Sequence, residues 1–331
     1  MRSYVLQRLV YMVFLLWLVS IVTFIIIQLP PGDYLSTYIS RLEQAGQVLA
    51  DEEVAALREQ YGLNLPMYAR YFKWFGQMLQ GNFGYSYNWE KPVRDLIGER
   101  LALTFTIAIL SAIFTYSVAI PIGIYSATRQ YSIADYVISF VGFIGLAIPN
   151  FMLALILMYV AWAHYGLNLT GLFSPEFQGA PWSLAKLGDL AIHLPIPVIV
   201  VGTAGTAGLV RVMRGTLLDE LNKQYVITAR SKGVGEVTLL FKYPVRVALN
   251  PIVSSLAWLF PSLISGGTIT AYVLGLPTAG PMLLRSLLTQ DTFLTASLLM
   301  FVTILTVIGT TVSDILLVVV DPRIRMERAA S

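Results

Sequence analysis

Three residues in this chain have side chains and surroundings that could do chemistry: Asp314, His164 and His193. Asp314 stands in Thr311-Val-Ser-Asp-Ile-Leu-Leu317, inside an apolar run, and an ionisable group at membrane depth is a functional candidate. An intramembrane enzyme built on it would need a second catalytic carboxylate or histidine at membrane depth, and none is found. The other reading is a polar residue near the inner end of its helix, because Asp321 and the basic tail follow about two turns later. Each histidine sits near the end of an apolar run, where neither is expected to meet a His or carboxylate partner at metal-ligand spacing; both read as interfacial polar residues. The chain has no cysteine, which excludes disulfides, thiolate metal sites and a cysteine nucleophile. It also lacks the phosphate-binding G-x-x-x-x-G-K-[ST], H-E-x-x-H and G-x-S-x-G signatures. The expectation is a chain that is not itself an enzyme and binds no metal or cofactor.

The patterned polar stretch that remains is Tyr225-Val-Ile-Thr-Ala-Arg-Ser-Lys-Gly233. It reads as a short helix, a glycine stop at Gly233 suited to a left-handed cap, and a second short helix from about Glu236 to Tyr243. A helix–Gly–helix between two apolar spans suits docking into a partner's cleft. An interfacial amphipathic elbow is the alternative.

The elements that position this stretch follow from composition. Of 331 residues, 56% are hydrophobic and only 12% charged, with mean hydropathy +0.69, against about a quarter charged in soluble proteins. This is an integral membrane protein, and a net charge of +3 is too small to suggest nucleic acid. Six apolar segments are long enough to cross a bilayer as helices: 9–29, 101–127, 135–163, 194–212, 249–275 and 293–320. The first, after Arg2 and Arg8, reads as a retained helix rather than a signal peptide. Lys and Arg crowd the N-terminus, the 211–246 loop and the tail after 320, whereas the 30–100 region has seven basic and nine acidic residues. The positive-inside rule then places both termini in the cytoplasm and 30–100 outside. Organisation follows: 1–29 as tail and first span, 30–100 as an outer helical insertion, 101–320 as a five-helix core with a cytoplasmic loop at about 219–247, and 321–331 as tail.

Within the outer region, Asp51, Glu52 and Glu53 open a short helix that Gly62 closes, and Pro66 starts another that stops at Gly81. The second carries Tyr68, Tyr71, Phe72, Trp74 and Phe75, and suits the membrane interface or a sugar- or peptide-stacking surface. A polar but uncharged pathway through the core would draw on Asn150, Thr203, Ser254, Ser262, Ser265, Thr268 and Thr270, with Gly266 and Gly267 permitting close helix approach. For each Ser or Thr the alternative is a hydrogen bond back to its own helix.

Eight stretches carry a family resemblance by their order and spacing: Leu57-Arg-Glu-Gln-Tyr-Gly-Leu63 with Tyr71-Phe-Lys-Trp74; Gly81-Asn-Phe-Gly84; Val93-Arg-Asp-Leu-Ile-Gly-Glu-Arg100; Ala147-Ile-Pro-Asn-Phe151; Arg211-Val-Met-Arg214; Thr228-Ala-Arg-Ser-Lys-Gly233; and Asp321-Pro-Arg-Ile-Arg325. Over nearly its whole length the chain resembles a membrane permease subunit of ATP-binding-cassette importers, of the peptide/opine/nickel type. The resemblance implies an all-α, type I importer permease fold with six transmembrane helices and an extracytoplasmic helical insertion between the first two. It implies a second, usually different, permease subunit, two ATPase subunits that carry the ATP and magnesium, an extracytoplasmic solute-binding protein, and a prokaryotic inner membrane. It identifies 227–233 with the family's E-A-A-x-x-x-G coupling helix, so that Ile227, Thr228, Ala229, Arg230, Ser231, Lys232 and Gly233 would meet the ATPase. Ile227 replaces the family's Glu and Thr228 its first Ala; Tyr243-Pro-Val-Arg246 stands where the family has I-x-L-P. Peptide-type relatives often carry Glu before a P-G-x-G turn, where this chain has Ala271 and a different turn. The solute implied is a di- or oligopeptide, with an oligosaccharide as the alternative.

Overall fold

The computed structural model describes residues 2–28, 39, 51–60, 64–86, 88–256 and 267–320, which divide between two compact units, 1–104 with 278–305, and 105–277 with 306–331. Several expectations lie outside the described residues: the 29–38 head, Gly62, Ser262, Ser265, Gly266 and the tail from Asp321. So does the side chain of Asp314.

The first unit opens with α1 (Arg2–Gln28), then α2 (Asp51–Gln60) and α3 (Met67–Leu79). Pro66 is the N-cap of α3, one residue before the first-turn position expected of it. Gly81 follows α3 with φ +78°, the left-handed conformation that glycine adopts without strain. The α3 aromatics divide by helical face. Tyr71 and Trp74 pack with Phe24 of α1 and with Ala296 and Met300, and the Tyr71 hydroxyl lies 2.8 Å from Ser20 Oγ. Tyr68 and Phe72 face outward. Much of the aromatic stripe is therefore core: the i, i+3 spacing of Tyr71 and Trp74 puts both on the α1 side.

A two-residue hairpin follows, β1 (Tyr85–Ser86) with β2 (Lys91–Pro92), in the register Tyr85↔Pro92 and Ser86↔Lys91. It leads directly into α4 (Val93–Thr128), which begins well before the expected apolar span at 101. Val93, Leu96 and Ile97 of α4 pack with Ala279 and Met282 of α14 (Ala279–Leu288) and with Leu294 and Leu298 of α15 (Thr292–Val320). Gly84 is required here: its φ is +84°, and a Cβ would come within 2.7 Å of the Phe293 ring. Asp291 fastens the hairpin to this core. One carboxylate oxygen accepts the Leu294 N–H at 3.2 Å, capping α15, and the other accepts the Ser86 hydroxyl at 2.5 Å.

Burial of Asp291 raises its pKa above the ordinary carboxylate value, and the Ser86 and Leu294 hydrogen bonds only partly oppose that shift. The folded chain then keeps a proton that the unfolded chain releases above about pH 4. The stabilisation is complete below the unfolded pKa and is lost as pH rises through the folded value. Detergent-solubilised protein should lose thermal stability on that rise, and Asp291→Asn should flatten this part of the profile. An unchanged slope in the variant would count against it.

The second unit holds the rest of α4 and α15, with α5 (Ile133–Ala147), α6 (Asn150–Tyr165), α7 (Leu184–His193), α8 (Pro195–Leu221), α9 (Gln224–Ser231), α10 (Glu236–Lys242), α11 (Pro244–Ala248), α12 (Asn250–Ser255) and α13 (Thr268–Val273). α8 packs on α5, α6 and α11. It approaches α4 closely: a Cβ on Gly202 would lie 2.5 Å from the Phe114 ring, and one on Gly123 would lie 2.6 Å from Met213 Cβ. Thr115 Oγ1 donates to Gly202 O at 2.9 Å across this contact.

α4, α8 and the Thr292–Ser313 part of α15 are each long and apolar enough to cross a membrane, and α1 carries a shorter apolar stretch, Val10–Ile26. The expected span 135–163 is two helices, α5 and α6, bent by 100°. The cause is local. Ile148 precedes Pro149 and takes an extended conformation, φ −80° and ψ 121°, as a residue before proline does. Of the expected span 249–275, the described parts are α12 and α13. In the three long spans only 33%, 28% and 50% of the apolar window is buried within the chain. The chain is a multi-pass, all-α membrane protein.

His193 departs from expectation. It is buried, and its Nδ1 lies 2.8 Å from Asp189 O and 3.6 Å from Asp189 Oδ1, one helical turn earlier. Asp189 also accepts the Ser174 N–H and hydroxyl at 2.8 and 2.6 Å. Lys186, on the same helix, reaches Ala180 O at 2.6 Å between the rings of Phe173 and Trp182. The Asp-x-x-x-His spacing is a partner at helical distance that an inspection for metal clusters overlooks. Among the described residues no group of three metal-ligating side chains assembles. His164 is exposed at the end of α6, as an interfacial residue would be.

Candidate functional site

The helix–Gly–helix folds as its residues dictate. α9 ends in a Schellman arrangement: Gly233 takes φ +75°, its N–H bonds Arg230 O at 3.0 Å, and the Val234 N–H bonds Ala229 O at 3.3 Å. α10 then starts at Glu236. Val226, Ala229 and Leu239 form a small core, joined by Val234 and Tyr243. On the outside, Arg230 Nε and Nη2 donate to the two Glu236 carboxylate oxygens at 2.7 and 3.1 Å, closing the elbow across the glycine. The Arg230 hydrogen bonds hold the Glu236 carboxyl below its ordinary pKa.

Of the seven expected coupling residues, six face solvent: Ile227, Thr228, Arg230, Ser231, Lys232 and Gly233. Ala229 is buried and supports the elbow from inside. Thr228 and Ser231 bond back to Gln224 O and Ile227 O. Sequence reasoning missed Val237 and Phe241 of α10, which stand 73% and 56% exposed; with Ile227 they give the elbow an apolar outer surface. The residues replacing the family's I-x-L-P form α11, with Pro244 in its first turn. Val245 and Ala248 of α11 pack with Met213 and Leu217 of α8 and Ala127 of α4. The elbow is thus carried on the helix core through α11.

The base of α8 is locked a turn above. Arg214 Nε and Nη2 donate to Asp135 Oδ1 and Oδ2, both at 2.9 Å. Ser126 of α4 also donates to Asp135, and the Tyr131 N–H donates at 3.0 Å. Asp135 is 2% exposed, and the pair joins α4, α5 and α8. An open cleft of about 550 Å³ lies beside it, lined by Arg129, Gln130, Tyr131, Ser132, Leu221 and Asn222 among others.

The pathway candidates are partly brought together. α6, which begins at Asn150, packs against α8, which carries Thr203, and against α13, which carries Thr268, Thr270 and Ala271. Thr203 bonds back to Ile199 O at 2.6 Å and lies against the Gly145 position of α5. Ser254 of α12 bonds back to Asn250 O at 3.0 Å. Thr270 is buried, and Ala271 is half-buried. Gly267 is the N-cap of α13.

Comparison with known proteins matches residues 119–326 to the binding-protein-dependent transport system inner membrane component, and residues 1–108 to the N-terminal part of a binding-protein-dependent transport system membrane component. Similar curated proteins include the oligopeptide transport system permease protein AppB of Bacillus subtilis, 36% identical over 98% of this chain and 99% of the relative. A putative peptide permease protein of Brucella ovis is 30% identical over 98% and 100%, and the oligopeptide transport system permease protein OppB of Mycobacterium tuberculosis is 29% identical over 98% and 100%.

Proposed function

The chain belongs to the family of binding-protein-dependent transport system inner membrane components, a permease subunit of an ATP-binding-cassette transporter, and we propose that it forms part of the pathway by which short peptides enter the cell. It is not the catalyst; ATP is hydrolysed by partner subunits. The observation that carries the reading is the self-contained elbow, α9 and α10, with Ile227, Val237 and Phe241 exposed on its outer side.

In this reading the elbow seats in one ATPase subunit of a pair, and a second, different permease chain completes the pathway. The binding protein docks outside, both termini lie in the cytoplasm, and six helices cross the inner membrane of a prokaryote. Closure of the ATPases moves the elbow as a lever between two states. Ile227, Thr228, Arg230, Ser231, Lys232 and Gly233 make the contact, with Ala229 as support. The pathway is lined by uncharged groups around α6, α8 and α13. Peptide is favoured because the relatives at 36%, 30% and 29% identity carry peptide-permease names; nothing comparable supports the oligosaccharide alternative.

ATP-driven uptake of a labelled short peptide into vesicles holding the assembled importer and its binding protein tests this. Unlabelled peptide should abolish the signal, and a neutral oligosaccharide should leave it unchanged. The opposite pattern would replace peptide with sugar while keeping the permease assignment.

A further inference from the structure

The turn between β1 and β2 presents Trp89 to two arginines. The Arg285 guanidinium carbon lies 4.6 Å from the Trp89 ring centroid, and that of Arg100 lies 5.9 Å from it. Among the described residues no carboxylate approaches either guanidinium within the 4.0 Å of an ion pair. The acids nearest in sequence, Glu90, Asp95 and Glu99, are exposed to solvent. Trp89 Nε1 and Asn88 Nδ2 are both buried with no acceptor, and a buried donor left unpaired is costly. The cluster therefore offers donors and positive charge with no hydrogen-bonded acceptor among the described residues, Glu99 acting on Arg100 only from beyond ion-pair distance. Stacking on an aromatic face leaves the N–H edges of a guanidinium available, and those edges match a carboxylate bidentately.

The cluster is held in place before anything binds. The hairpin is fixed by the buried Ser86–Asp291 hydrogen bond and by the Val93 N–H on Gly84 O at 3.1 Å. Beside Arg285, Ser286 accepts the Thr295 hydroxyl at 2.9 Å, tying α14 to α15. Next to exposed Arg285 on α14, Leu284 and Leu288 are 37% and 76% exposed. Arginine and tryptophan together are the composition of a protein-docking centre rather than of a small-solute subsite.

We propose that Trp89, Arg285 and Arg100 form a docking site for a surface carboxylate of the extracytoplasmic binding protein. The proposal rests on the outward placement of this region under the proposed function. The two are tested separately on the assembled importer in a membrane. Arg285→Cys, the only thiol in this chain, should react with a membrane-impermeant reagent from outside; reaction from inside alone would end the outward placement, and the proposal with it. Binding-protein affinity for the importer in nanodiscs should fall about tenfold or more in Arg285→Glu and lose part of its salt dependence. Arg285→Lys, which keeps the charge without the fork, should lie between. Outside labelling together with unchanged affinity and salt dependence in Arg285→Glu would overturn the docking site and leave the topology standing. The docking site falls equally if affinity holds but uptake of free-carboxylate peptides alone is lost, since the carboxylate would then be the solute's.

Discussion

Replacing Gly233 with valine is expected to cut peptide uptake about tenfold or more while ATP hydrolysis loses much of its dependence on the loaded binding protein. Gly233 holds φ +75°, and a Cβ there would meet nothing within 4 Å, so the penalty is conformational rather than a clash. A left-handed conformation costs a residue with a Cβ about 1–2 kcal/mol, more for a β-branched one. The chain can relieve the strain only by unwinding the cap, which releases Val234 from Ala229 O and re-aims α10 relative to α9. Strain of that size corresponds to about a tenfold or greater loss of the seated elbow. Asparagine tolerates this conformation far better, so Gly233→Asn should keep most uptake. Equal uptake and equal ATPase stimulation in the valine and asparagine variants would show that the left-handed turn does not matter to coupling.

Asp135→Ala should strongly destabilise the second unit. It removes the acceptor of a two-bond pair and strands Arg214, whose side chain keeps 28% exposure. Breaking a buried pair costs about 3–5 kcal/mol; partial exposure of Arg214 argues for the lower end, about 3 kcal/mol. The loss also frees Ser126 and the Tyr131 N–H, loosening the turn between α4 and α5. Thermal unfolding of the detergent-solubilised protein measures the effect. Removing both charges, as in Asp135→Leu with Arg214→Met, should recover much of it, since apolar replacement of a whole pair is often neutral. A double variant no better than the single one would mean that the charges do more than satisfy each other.

The elbow was legible in the sequence because everything that makes it is local. A glycine, the residues before it and a new helix start lie within about twenty positions, and cap chemistry acts over such distances. The three long apolar spans of α4, α8 and α15 were legible because hydropathy sums over a window. The bend at Ile148 and Pro149 was equally local, yet a window average smooths over a single proline. The start of α4 was hidden by Arg94, Asp95, Glu99 and Arg100, which keep its first turns polar although Leu96 and Ile97 are buried. What could not be read were the long pairings. Asp135 and Arg214 are 79 positions apart, and Ser86 and Asp291 are 205 apart; in one sequence each looks like a loop charge or hydroxyl. Ala229 and Ile227 show the finer limit: the motif names both, and only packing distinguishes the inward residue from the outward one.

The small core of Val226, Ala229, Leu239, Val234 and Tyr243 is distinct from the one that seats α11 on α8. Residues inside it answer to one another; of those outside, Arg230 and Glu236 answer to each other, and Ile227, Val237 and Phe241, in the proposed reading, to the neighbouring subunit. The outer positions are therefore free to drift as that neighbour drifts, without retuning the transmembrane helices. Under the proposed function the segment 223–243 is an interchangeable adaptor: moved whole into a sister transporter, it should carry its choice of motor with it.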